Sequence, residues 1–145
     1  MPRDDVEPLA RPAVSYYTKK LDSAVSWLDV QSATSGLIPL AEWFRPQEAA
    51  ALAWTLVPQL AKQKAPQVVT PLHKACEATV PKMARNDMVD LLKSPLCVGF
   101  ARTVVLRELG RQAGENFGTV WDFVTWARRH EPDLDLLSPP QAHNG

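Results

Sequence analysis

Apolar residues return at intervals of three and four over most of this chain, and prolines, glycines and polar clusters punctuate them into helix-length segments. In the first, Val14, Tyr17, Leu21, Ala24, Val25 and Leu28 share a face while Lys19, Lys20, Asp22 and Asp29 fall mostly opposite, which predicts one amphipathic helix. The polar run Gln31 to Gly36 then reads as a break before the short apolar piece LIPLAEWF. Pro46 suits the first turn of a helix, where a missing N–H costs nothing, and Glu48 complements the positive end of its dipole. That helix is expected to reach about Lys64 along Ala50, Ala53, Trp54, Val57, Leu60 and Ala61, with a kink at Pro58. A further helix starts at Pro66 or at Thr70-Pro71 and buries Val68, Leu72, Ala75, Cys76 and Val80.

The second half repeats this grammar. Asn86 caps a short helix to Lys93, with Met88, Leu91 and Leu92 inward, and Ser94-Pro95 stops it. From Cys97 to Ala113 the helix is apolar over much of its circumference, which predicts cover on more than one side; Gly110 and Gly114 mark its fraying end. Thr119 with Asp122 three residues on nearly matches a capping box, and Arg128, Arg129 and His130 complement the C-terminal dipole before Pro132. No strand pattern of convincing length interrupts these segments, so the expectation is a single all-α domain over 14–130. A Pro-rich flexible arm over 1–13 and a flexible tail over 131–145 flank it.

Within this pattern the unit LLKSPLCVGFARTVVLRELG has a leucine pair closing one helix, a Pro-containing turn, then a helix with an arginine near its start and Leu-Gly near its end. It resembles the second half of a HEAT-like repeat, and the match covers about one repeat, Asn86 to Gly110. The resemblance implies an α-solenoid segment of stacked helical hairpins, a scaffold for binding other macromolecules. No three copies align at a fixed period, so an irregular helical bundle stands beside the solenoid as the alternative architecture.

Composition narrows the function classes. The formal net charge is zero, so no whole-chain attraction to nucleic acid or anionic membrane is expected. No stretch approaches the ~18 to 20 apolar residues of a membrane span, and the two cysteines, Cys76 and Cys97, lie inside apolar helical patterns. A cytoplasmic protein with buried thiols follows, with no membrane association expected. His73, Cys76 and Glu77 share a helix face at metal-ligand spacing, but no further ligand pair supports them, and a buried Cys76 beside an exposed His73 is the preferred reading. Cys97 near a helix start is judged core rather than nucleophile because Leu96, Val98 and Phe100 surround it, and Asp87 with Asp90 reads as a capped, solvated face. No cofactor or metal site is expected.

Charge along the chain is uneven: eleven Lys or Arg stand against six Asp or Glu between Lys62 and Arg129, while both ends are acidic. Two functions emerge. The first is a non-enzymatic protein-interaction module or adaptor; the alternative is a nucleic-acid-binding domain using the basic region 62–129, with Arg107, Arg111, Arg128 and Arg129 among its contacts. Trp121 and Trp126 cannot both face one core, because five residues rotate a helix by roughly 140°. One indole is expected at the surface, and Trp126, framed by Arg129 and His130, is the chosen binding anchor.

Overall fold

The computed structural model describes residues 3–136, with side chains from residue 9 onward. Seven α-helices are present among them: α1 (Arg3–Asp22), α2 (Trp27–Leu37), α3 (Pro46–Lys62), α4 (Pro66–Thr79), α5 (Arg85–Leu92), α6 (Gly99–Ala113) and α7 (Val120–His130). Short 3-10 turns at Ile38–Trp43 and Val80–Lys82 complete the elements, and the described residues contain no strand, as the absence of alternating apolar positions predicts. No helix among them is long and apolar enough to cross a membrane.

The helices pack in two rows. In one, α1 touches α3 and α3 touches α5; in the other, α2 touches α4 and α4 touches α6, while each helix also packs on its sequence neighbour in the pairs α1–α2, α3–α4 and α5–α6. Helix α7 closes the far end against α6. A single apolar cluster runs through the stack from Val14 and Leu21 through Leu52, Leu72 and Met88 to Val105, Phe123 and Ala127. At the α1–α2 contact the Tyr17 ring lies over Gly36: a Cβ there would sit 2.4 Å from its ring carbons, so any other residue would have to push the ring aside.

Three boundaries differ from those expected. The segment read as a loose arm through Pro12 belongs to α1, where Ala10 is buried and the Arg11 guanidinium pairs with the Glu48 carboxylate and donates to the Trp43 carbonyl. These contacts, 32 and 37 residues away in sequence, outweigh the poor local propensity of a proline-containing turn. The helix expected over Val14 to Leu28 is two helices: α1 ends at Asp22, and Ser26 caps α2 by accepting from the Asp29 N–H at 3.3 Å. Consequently Val25 and Leu28, assigned to the core by spacing, are exposed, and the polar run Gln31 to Gly36 lies inside α2. Lastly, the polypeptide after His130 does not leave the core at once, since Leu134 and Leu136 pack against it and Glu131 pairs with Arg85. The tail expected from Ser138 to Gly145 lies outside the described residues.

Elsewhere the local signals hold. Helix α3 starts at Pro46, with Glu48 accepting from the Arg45 N–H at 2.9 Å, and continues through Pro58. Helix α4 takes the first of its two possible starts, Pro66. The expected cap of α5 does not hold, since the helix begins at Arg85 with Ala84 at its N-cap and Asn86 lies inside it; α6 begins two residues after Cys97.

Candidate interaction surface

Helix α7 is held in place by its own first turn. Thr119 accepts from the Asp122 N–H at 3.1 Å while the Asp122 carboxylate accepts from the N–H groups of Gly118 and Thr119, both at 3.1 Å, which satisfies donors the helix start would leave unpaired. Upstream, Phe117 is buried and packs edge-on to Phe123, ring centres 5.4 Å apart. With Val120, Phe123 and Ala127 turned inward, Trp121, Thr125 and Arg128 are carried to the opposite side.

The two indoles therefore divide as expected, but in the opposite order. Trp126 lies half-buried: Phe117 at 5.6 Å, His130 stacked at 4.9 Å and the Arg85 guanidinium at 5.7 Å enclose its ring. Beyond the expected pair Arg129 and His130, a further cation, Arg85, arrives from α5 and lies over the ring. Trp121 is 65% exposed, the Arg128 guanidinium lies 5.6 Å from its ring centre, and Arg129 is exposed on the flank of the same helix. Sequence reasoning fixed the angle between the two rings but not which one the loop carrying Phe117 would claim.

Of the four arginines expected in a basic patch, two share a groove. Arg107 and Arg111, with Thr103, Glu115 and Asn116, line an open groove of about 490 Å³ between α6 and the following loop, and Arg128 and Arg129 lie outside it. Both groove arginines meet carboxylates: Arg107 lies 3.8 Å from Glu77, and the Arg111 Nε donates to both Glu108 oxygens at 3.0 and 3.1 Å. The Arg111 hydrogen bond holds the Glu108 carboxyl below its ordinary range, and Glu108 in turn raises the Arg111 guanidinium. A guanidinium that already has a carboxylate partner offers a phosphate less than its formal charge suggests.

The chemistry-bearing clusters disperse similarly. His73 stacks on Phe100 with ring centres 3.8 Å apart, Cys76 is buried, and Glu77 turns to Arg107. Burial pushes the Cys76 thiol up to about 12 and the Cys97 thiol up to about 11, so both stay protonated at neutral pH and lack the thiolate that attacks or binds metal. Among the described residues no group of three or more His, Cys, Asp or Glu is placed to hold a metal ion. Asp87 and Asp90 border a shallow hollow with Asp133 and Lys93, the Lys93 ammonium 4.0 Å from Asp90. No family model, curated protein or solved structure matches the chain.

Proposed function

We propose that the chain is a non-enzymatic helical interaction module of the cytoplasm that docks a protein partner on the outer side of α7. Trp121 supplies the apolar anchor, and Arg128 and Arg129 select a partner segment bearing carboxylates. The observation that carries this reading is the exposed Trp121 ring beside Arg128, on a helix whose start and inner face are fixed. An indole held on a rigid element gives up little conformational freedom on binding, and Trp and Arg are the residue types on which interface energy concentrates. The two-row arrangement of helix pairs supports the companion reading of a HEAT-like solenoid segment, a build whose surfaces serve binding. The nucleic-acid alternative draws less support, because Arg107 and Arg111 are engaged by carboxylates.

A peptide library selected on the folded protein tests this. Enriched sequences are expected to combine Asp or Glu with an apolar residue, and Trp121→Ala is expected to weaken them roughly thirtyfold, the ~2 kcal/mol of an interface hot spot, with the melting temperature unchanged. Peptides that bind Trp121→Ala as tightly as the parent, or salt-sensitive binding of duplex DNA in place of peptide, would overturn it.

A further inference from the structure

The turns of the stack divide by what they do with their large apolar residues. Between one helix pair and the next the chain turns these residues inward: Phe44 before α3, Met83 before α5 and Phe117 before α7 are buried. Within the pairs it does the reverse. Val25, Trp27 and Leu28, where α1 passes into α2, and Leu96 and Val98, where α5 passes into α6, are exposed, Val25 to 93%. Among the described residues, the other large apolar side chains so exposed are Leu9, Tyr16 and Trp121. The within-pair turns lie on one edge of the molecule. Helices α1 and α3 run parallel, since Arg11 meets Glu48 and, farther along both, the Gln59 amide reaches the Leu21 carbonyl. Helices α4 and α6 do the same, with His73 on Phe100 and then Glu77 beside Arg107. A small cleft of about 90 Å³, lined by Val25, Trp27, Lys62 and Gln63, joins the α1–α2 turn to the α3–α4 turn. Along this edge Lys19, Lys62, Lys64 and Arg102 are exposed, against exposed Asp22 and half-buried Asp29. The opposite edge is balanced, with Arg45, Lys82 and Arg111 against Glu42, Glu115 and Asp122. A formal net charge of zero conceals this asymmetry.

We infer that this edge rests on an anionic membrane surface, its exposed turn residues entering the interfacial layer while Lys19, Lys62, Lys64 and Arg102 face the headgroups. Two features favour lipid over a protein as the occupant. The apolar tips stand on the α1–α2 and α5–α6 turns, with the turn bearing Lys62 and Lys64 between them; at ~10 Å per packed helix the tips are roughly 20 Å apart. A protein interface concentrates its energy in one contiguous, close-packed centre, whereas a fluid bilayer receives separate tips without matching their shapes. The charge is also of the right sign. Each Lys or Arg held near an anionic leaflet strengthens binding about fivefold, and an indole such as that of Trp27 is at home at headgroup depth. Contact of this kind is peripheral and needs no spanning helix.

Cosedimentation of the full chain with vesicles of phosphatidylcholine and phosphatidylserine, at about 2:1 and in about 0.05 and 0.5 M salt, tests the inference. Binding is expected at low salt and is expected to weaken at least tenfold at high salt or on phosphatidylcholine alone. Val25→Asp and, independently, the double variant Lys62→Glu, Lys64→Glu change exposed positions, so each should keep the melting temperature while lowering partition at least tenfold. Brominated acyl chains should quench the tryptophan emission of the bound protein, and Trp27→Phe should remove most of that quenching. Trp121→Ala and Lys82→Glu should bind as the parent does, which separates this edge from the α7 surface and from a general effect of charge. No vesicle binding at low salt overturns the inference, whether or not the edge binds a protein. So does binding that Lys82→Glu weakens as much as the double variant does, or binding that Val25→Asp leaves unchanged.

Discussion

Gly110 shows how far a single residue's surroundings can reverse its local meaning. By sequence it marks a fraying helix end, where alanine would improve helix propensity by about 1 kcal/mol. In the structure it is buried, the Glu115 N–H donates to its carbonyl at 2.9 Å, and Gly114, with a positive φ of 68°, turns the chain back over it. A Cβ at Gly110 would lie 2.6 Å from the Glu115 carbonyl oxygen, and that atom belongs to the backbone and cannot swing aside. Overpacking of this type costs ~1 to 3 kcal/mol and so cancels or exceeds the propensity gain. Gly110→Ala should therefore lower the urea midpoint, whereas a midpoint that rises would mean the end is as loose as the sequence suggests. The same distinction governs the tryptophans: Thr119 and Asp122 are three residues apart and legible, while the side that Phe117 and Arg85 cover depends on residues from another helix and a loop.

Among the elements, the interiors of α3, α4 and α6 were readable because each has an apolar stripe bounded by proline or glycine, signals that act within a few residues. The α1–α2 boundary was not, because Val25 and Leu28 happen to continue the spacing of Val14, Tyr17 and Leu21. The competing signal was present: Ser26 followed three residues later by Asp29 is a helix start, and it prevails over periodicity. A contact far along the chain finishes the job. The Gln59 amide donates to the Leu21 carbonyl at 2.7 Å, reaching across 38 residues to satisfy an acceptor exposed by the end of α1. Gln59→Leu keeps the side-chain bulk and leaves that carbonyl with the longer 3.2 Å bond from the Ala24 N–H alone, for an expected loss of about 0.5 to 1.5 kcal/mol. Chemical denaturation measures it, and an unchanged midpoint would show that the α1 terminus does not depend on Gln59.

For the whole molecule, the all-α class was legible from periodicity, while the order of packing, two rows closed by α7, rests on side chains that meet only when distant helices do. One consequence is cooperativity. Repeat-like stacks can unfold piecemeal when each unit holds mainly to its neighbours, yet here one apolar cluster extends from α1 to α7. Ala10 tests this from the end that sequence reading left outside the domain. It is 2% exposed, so Ala10→Asp buries a charge that needs a partner, at a cost of several kcal/mol if α1 is an integral part of the fold. Followed by far-ultraviolet circular dichroism and by Trp126 fluorescence in a background where the other tryptophans are replaced by phenylalanine, unfolding of Ala10→Asp should shift to lower denaturant in both signals together. A helix signal that falls first while the Trp126 signal keeps its original midpoint would show that α1 frays independently and that the stack is a chain of separable units.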